Sequence, residues 1–376
     1  MYTDLCKKLN IEVPIFAFTH CRDVVVEVSK SGGIGVFGAA FVNSLEELKE
    51  ELDWIDAHIG DHIYGFDIVI PGAAVGQGSG MSAAEQEDKL WEMIPQEHTD
   101  FTNKILTESD VPKWNDDSRP PMGAWTLEQV MPMLEEALKR PQCKVIVNAL
   151  GTPPDHVTKM VQDSGRLIGA LTGTKKHALA HKEAGLDFIV ANGGEGGGHC
   201  GDVGSIVCWP ELIDAVAPMP VVAAGGIGNG RQMLAAMGMG AAGVWTGSLW
   251  LTVEEAHAEM SQKEAYLKAE STDVTRTKTY TGKGCRVLRN EWTEAWENPA
   301  TPDALPFPLQ LLLTSDLRRR TEMYASAGDA QKIAGNACGQ VIGQLNNIES
   351  CRGVVTRIIT EYIDALDALN SLMPEE

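Results

Sequence analysis

The sequence predicts an α/β chain built on a (β/α)8 TIM barrel, with an insertion after the third strand and a mainly helical C-terminal extension. Three observations carry this. Eight short apolar runs recur along the chain, each rich in β-branched or small residues and punctuated by glycine or proline, as suits strands buried on both faces of a parallel sheet. Most intervals between them are about 20–35 residues, the length of a βα unit. The 376-residue length exceeds the roughly 250 residues of a minimal barrel, leaving room for one barrel and additions. A doubly wound open sheet is the rival architecture, but it usually uses fewer strands, so eight units favour closure.

In order, the candidate strands are residues 13–18, 34–38, 62–70, 144–150, 166–172, 186–191, 220–224 and 242–245. Helix starts lie between them. Ser44-Leu45-Glu46-Glu47 and Thr126-Leu127-Glu128-Gln129 fit the capping box, in which two side chains satisfy amides that a helix leaves unpaired. Pro153-Pro154-Asp155 opens another helix, since proline is tolerated in a first turn. Two stretches break the rhythm. The first, about residues 72–125, begins with Gly76-Gln77-Gly78-Ser79-Gly80 and is expected as a lid, a substrate loop or a plain surface insertion. The second starts at about residue 256. It holds a basic patch (Arg276, Lys278, Lys283, Arg286, Arg289), a Trp292/Trp296 pair, a proline-rich run and a helix-like stretch at 353–369. The expected organisation is a barrel over residues 1–255, interrupted at 72–125, and an extension over 256–376 packed on it. The extension is a candidate surface for homo-oligomer formation.

Charge narrows the partners. With 31 Lys and Arg against 52 Asp and Glu, the net charge is −21, which repels phosphate backbones and anionic lipid. Nucleic-acid and membrane partners are not expected, and an anionic small molecule would need local donors to draw it in against this field. Residues 1–14 lack the basic-then-apolar run of a signal peptide, and no stretch approaches the ~20 apolar residues of a membrane span. The eight cysteines are scattered without a CxxC pair, which argues against a zinc ribbon and a disulfide framework. They read as reduced thiols of a cytoplasmic protein, and no metal site is expected.

Three glycine-rich turns follow candidate strands, on the face of a barrel where catalytic groups gather. The first is Asn192-Gly193-Gly194-Glu195-Gly196-Gly197-Gly198-His199-Cys200-Gly201. A run so poor in side chains lets backbone approach a flat ligand closely, and His199 presents one titratable imidazole beside it. The second is Ala223-Ala224-Gly225-Gly226-Ile227-Gly228-Asn229-Gly230, and the third Gly243-Val244-Trp245-Thr246-Gly247-Ser248-Leu249. Glycines after the seventh and eighth strands, each opening a helix, are where barrels hold a phosphate on backbone amides.

These motifs resemble those of the nitronate monooxygenases, formerly 2-nitropropane dioxygenases. Residues 193–201 resemble that family's glycine-glutamate-glycine-histidine signature, of which FMN-dependent enoyl reductases share a close version. Residues 220–227 and 243–249 resemble its FMN-phosphate turns, Pro14-Ile15 with Ser31-Gly32-Gly33-Ile34-Gly35 its first βαβ unit, and Gly65-Phe66-Asp67 its third strand. The likeness spans about residues 11–71 and 144–255. It implies an FMN whose phosphate is held by Gly225, Gly226, Gly247 and Ser248. Asn192, Gly193 and Gly194 would contact the isoalloxazine ring, and Asp67 joins the cofactor-binding set. His199 would stand at the reactive face as base or substrate-polarising group. The sequence departs from the family at Phe16-Ala17-Phe18-Thr19-His20, where a small-residue, methionine-containing turn is usual. That makes Phe18 and His20 candidate pocket residues. Asn192 stands where Gln is common and Ser248 where Thr is common, both keeping polar function. His58, His62, His177 and His181 carry no motif and are expected in solvent.

The implied activity is FMN-dependent oxidation of an alkyl nitronate by molecular oxygen to a carbonyl compound and nitrite. The alternative enzyme is an FMN- and NAD(P)H-dependent enoyl-thioester reductase, whose phosphate-bearing carrier or nucleotide the basic patch would meet. A flavin-binding protein without turnover is a third class, and an imidazole inside the glycine run argues against it.

Overall fold

The computed structural model describes residues 1–70, 83–114 and 127–373. Its core is a closed barrel of β1 (Ile15–Thr19), β2 (Ile34–Gly38), β3 (Tyr64–Ile68), β4 (Cys143–Asn148), β5 (Leu167–Thr172), β6 (Phe188–Asn192), β7 (Val221–Ala224) and β8 (Gly243–Thr246). Every neighbouring pair is parallel, and β8 closes on β1 with Phe16 beside Trp245 and Ala17 beside Thr246. All eight candidate strands are strands, their ends displaced by a residue or two.

Alternation along each strand divides its side chains between lumen and helix layer. Phe16, Ile34, Val36, Val145, Val147, Phe188, Val190, Val222, Ala224 and Trp245 form one buried cluster that fills the lumen. Their neighbours Ile15, Ala17, Ile189 and Val221 pack with the helices outside. A Cβ at Gly169 would run into the Phe188 ring, so glycine on β5 makes the space that a phenylalanine on β6 occupies.

Seven helices follow strands in the expected way: Arg22–Lys30, Leu45–Ile59, Leu127–Leu138, Asp155–Asp163, Lys175–Glu183, Ser205–Val216 and Gly230–Gly238. Ser44 caps the second of these by accepting the Glu47 N–H at 3.0 Å; Thr126 lies outside the described residues. The eighth position in the ring belongs to helix Cys351–Asn370, which packs against both Gly230–Gly238 and Arg22–Lys30. A Cβ at Gly230 would collide with the Ile358 carbonyl, so these helices meet backbone to backbone. The Gly230 N–H donates to Glu361 at 2.8 Å, and the Glu255 carboxylate accepts the Cys351 N–H at 3.0 Å. The excursion between β8 and this helix is therefore inserted in the barrel's last βα unit.

That excursion contains an antiparallel hairpin, β9 (Val274–Thr277) and β10 (Cys285–Leu288), within an otherwise helical extension. It shares a second core with the insertion. Ile105, Leu106 and Val111 pack with Tyr280, Val287, Trp292 and Leu317, and the Arg320 guanidinium donates to the Val111 and Pro112 carbonyls. Trp292 and Trp296 pack at 5.7 Å. The glycine-rich start of the insertion, Gly76 to Gly80, lies outside the described residues. His181, expected in solvent, is instead fully buried and bonded to Thr152 at 2.8 Å, because it falls on the inner face of its helix. All eight cysteines are free thiols. Among the described residues no helix is long and apolar enough to cross a membrane.

Candidate active site

The C-terminal ends of the strands gather the expected residues at one end of the barrel. After β6, the glycine–histidine loop is tied inward at its start. The Gly193 N–H donates to the Ala224 carbonyl at 2.9 Å and the Gly194 N–H to Val203 at 2.7 Å. A Cβ at Gly193 would strike Ser205 Oγ. These two glycines thus have a packing role, and their amides are spent inside the protein. Asn192 Nδ2 donates to the His199 carbonyl at 2.9 Å and closes the loop on itself. Glu195, given no role from sequence, caps helix Ser205–Val216 by accepting the Ser205 N–H at 2.9 Å and its hydroxyl at 2.6 Å.

His199 is oriented from outside the barrel. Its Nδ1 lies 3.1 Å from the Gly284 carbonyl, which can only accept. The proton is therefore on Nδ1, and in the neutral ring Nε2 carries the lone pair. The ring edge is open, yet the surrounding protein strips hydration from the cation and lowers its pKa from the ordinary value. The Gly284 carbonyl opposes that shift, while the positive charges of Lys283 and Arg276 reinforce it. The hairpin grips the same loop by paired backbone bonds between Gly198 and Arg286 at 2.8 and 2.9 Å. Arg286 also donates to the Gly194 carbonyl at 2.7 Å, and Arg276 pairs with Asp202. Two arginines of the basic patch, Arg276 and Arg286, therefore brace the histidine loop, a role the run of charges did not reveal.

The turns after β7 and β8 differ in kind. Gly225 and Gly226 have φ of 91° and 71°, which glycine adopts without steric cost. A Cβ at Gly226 would find no atom nearer than 3.5 Å, and one at Gly247 nothing within 4 Å. Among the described residues, the amides of Gly225, Gly226, Gly247 and Ser248 meet no protein backbone acceptor. Ser248 Oγ accepts the Gly339 N–H at 2.8 Å, which leaves its own proton to donate. At Gly225 a Cβ would come within 2.9 Å of the Gly193 carbonyl, and the Glu195 and Ser205 side chains border the Gly226 side of the turns, while the Gly247 side is open. Four amides without a backbone acceptor and a hydroxyl suit a phosphate there.

Asp67 on β3 is buried, and its Oδ2 has no hydrogen-bond partner among the described residues. Burial without a compensating charge raises its pKa well above the usual carboxylate range. Burial thus favours the protonated form, in which it can donate to a bound polar group. Around the mouth, Phe18 stacks on Trp245 at 5.8 Å and meets His20 edge-on at 5.1 Å. His20 donates from Nδ1 to the Gly38 carbonyl at 2.7 Å and tilts against Phe41 at 4.9 Å. From helix Ser315–Met323 of the extension, Arg318 lies 5.1 Å over the Phe41 ring. The first turn is thus an aromatic wall. Its residues lie between β8 and β2, and Asp67 on β3 is registered beside Gly38, the residue whose carbonyl holds His20.

A TIM barrel with unpaired amides in the β7 and β8 turns and an imidazole in the β6 turn fits a flavin-dependent oxidoreductase of the barrel class. The comparisons agree. The model of the family described as nitronate monooxygenase matches residues 3–361, and the chain belongs to that family. It is 40% identical over 378 residues to a Mycobacterium tuberculosis protein named as a monooxygenase, covering 99% of this chain and 100% of the relative. A Staphylococcus aureus protein named as a nitronate monooxygenase is 30% identical over 342 residues, covering 87% of this chain and 88% of the relative. Among solved structures, a nitroalkane oxidase from Streptomyces ansochromogenes superposes with a TM-score of 0.78 at 23% identity, covering 97% and 99% of the two chains. An enoyl reductase domain from Bacillus amyloliquefaciens gives 0.57 at 14% identity, covering 99% and 100%. These structural likenesses speak for the fold.

Proposed function

We propose that the chain holds FMN and oxidises alkyl nitronates with molecular oxygen, yielding a carbonyl compound and nitrite. The observation that carries this is the neutral His199, with Nδ1–H fixed on Gly284 and Nε2 left as a base, beside a cradle of unpaired amides. Gly225, Gly226, Gly247 and Ser248 would hold the phosphate. A single terminal cradle supports FMN over a dinucleotide. Asn192, Gly193 and Gly194 would offer the ring a face free of bulky side chains, and Asp67 would donate to it as a neutral acid. Bound flavin supplies the redox chemistry. The protein's own part is positional: Phe18 and His20 shape the wall against the alkyl group, and His199 Nε2 takes the carbon-bound proton when the substrate arrives as a neutral nitroalkane. The free thiols support a reducing, cytoplasmic location.

The second reading is an NAD(P)H-dependent reductase of enoyl thioesters, favoured by the shared architecture with the enoyl reductase domain. It needs a surface for a phosphate-bearing partner. Three arginines of the basic patch are already engaged, Arg276 with Asp202, Arg286 with Gly194 and Arg289 with Glu297, which weakens it. Anaerobic mixing decides between the two. Nitronates should bleach the flavin absorbance faster than NADH or NADPH does. Bleaching by NADPH with recovery on an enoyl thioester, and none with nitronates, would put the reductase in its place.

A further inference from the structure

We infer that Lys283 is a specificity-determining residue that binds a small planar oxyanion in this pocket, the ionised nitro group of a nitronate. The inference rests on the nitronate reading above and adds the group that selects the anion. Lys283 sits in the turn between β9 and β10, its backbone fixed by Thr281. The Thr281 hydroxyl accepts the Lys283 N–H at 3.3 Å and donates to its carbonyl at 3.1 Å. The next residue, Gly284, is the one whose carbonyl receives His199. Lys283 therefore immediately precedes the residue that orients His199, and its charge is near enough to help lower the imidazole's pKa.

The ammonium lies 4.6 Å from the centroid of the Phe307 ring. A π face attracts the cation but uses none of its three donors in a conventional hydrogen bond. Among the described residues no carboxylate or carbonyl meets Nζ. Acidic residues outnumber basic ones in this chain by 52 to 31, so a half-buried lysine without one is conspicuous. Its neighbours are matched: Arg276 to Asp202, Arg289 to Glu297, and Arg286 to the Gly194 carbonyl. Burial also lowers the Lys283 pKa, the sign of desolvation that no protein anion offsets. Partial desolvation of an unpaired cation costs stability; beside a candidate base, it has a use. It also supplies the local attraction that an anion needs to approach a protein of net charge −21.

Nitrate is a planar oxyanion that mimics the nitronate head without reacting, so it is the probe. Sodium nitrate is titrated calorimetrically into the flavin-loaded wild type, Lys283→Met and Lys283→Arg, with melting temperature and flavin content as folding controls. Methionine keeps an unbranched apolar stem over Phe307 and removes the charge. Nitrate affinity should fall about ten- to a hundred-fold in Lys283→Met and largely return in Lys283→Arg. The KM for a nitronate should rise by a similar factor with a smaller change in kcat, and nitronates should lose more kcat/KM than neutral nitroalkanes. If Lys283→Met melts early, Lys283→Gln takes its place. No nitrate binding by the wild type, or equal affinity in wild type and variant, overturns the inference whatever the enzyme oxidises. Lys283-dependent binding of pyrophosphate, with nitrate indifferent to the residue, overturns it in favour of a nucleotide. Failure of the wild type to oxidise nitronates instead overturns the proposed function, and the nitrate affinities still decide the anion site.

Discussion

The proton state of His199 follows from its immediate neighbours. Crowding and the two cations disfavour the imidazolium, and the Gly284 carbonyl selects the tautomer with Nε2 as base. The consequence for rate depends on the substrate's own charge. A neutral nitroalkane must lose a carbon-bound proton, and a positioned base contributes about 10²–10⁴-fold to such a step; a preformed nitronate has already lost it. His199→Asn should therefore depress turnover of neutral nitroalkanes by about that factor and that of nitronates far less, with flavin content unchanged. Equal, small losses on both substrates would make the residue structural. The pH dependence has a definite sign. Because the folded pKa is lowered, the base form persists below the ordinary histidine value of about 6.5. The kcat/KM for a neutral nitroalkane should hold through that pH as it falls and decline only beneath it, a limb that His199→Asn removes. From sequence, His199 was legible as an imidazole in a glycine run. Its orienting carbonyl was not, since Gly284 lies 85 residues further on and a backbone acceptor has no side-chain signature.

At the scale of elements, the two phosphate-type turns look alike in sequence but constrain their glycines differently. At Gly226 a positive φ would strain any side chain, so a loss of flavin there mixes backbone strain with obstruction. Gly247 separates the two, because its φ of −122° is open to any residue and a Cβ there would meet nothing within 4 Å. Gly247→Val should leave the melting temperature of the flavin-free protein within about 0.5 kcal/mol equivalent of wild type, yet abolish flavin retention on purification. Normal flavin content in that variant would move the phosphate elsewhere. The strands and turns were legible because buried parallel strands are short apolar runs and tight βα turns need glycine, both local properties. The hairpin β9–β10 escaped notice because its strands are four residues each, half-buried and mixed in polarity. Ser248 was found from its turn, but the Gly339 amide that orients its hydroxyl comes from 91 residues away. The charges of the basic patch were visible, but their inward targets were not, since loop carbonyls are invisible to composition.

At the scale of the molecule, the barrel is closed as a sheet by β8 pairing with β1, but its helical ring is closed only by the last helix. Val354, Val355 and Ile358 of that helix are buried in one cluster with Val24, Val28, Met233 and Ala236 from the helices on either side. Sequence order could not foretell this, because about a hundred residues separate β8 from the helix that completes its βα unit, and periodicity shows an apolar face but not what covers it. Fully burying a valine or isoleucine contributes about 1.5–3 kcal/mol. Three such side chains together approach the 5–15 kcal/mol that typically separates folded from unfolded domains. Removing the helix would also expose the apolar faces it covers and free the Gly230 amide from Glu361. A chain ending at Glu255 should therefore not fold as a stable barrel: it should aggregate or lack a cooperative melt, and bind no flavin. Adding helix Cys351–Asn370 back through a flexible linker should restore a cooperative transition, even if the insertion helices and hairpin are missing. A soluble, cooperatively melting chain of residues 1–255 would show that the terminal helix only decorates a barrel already complete.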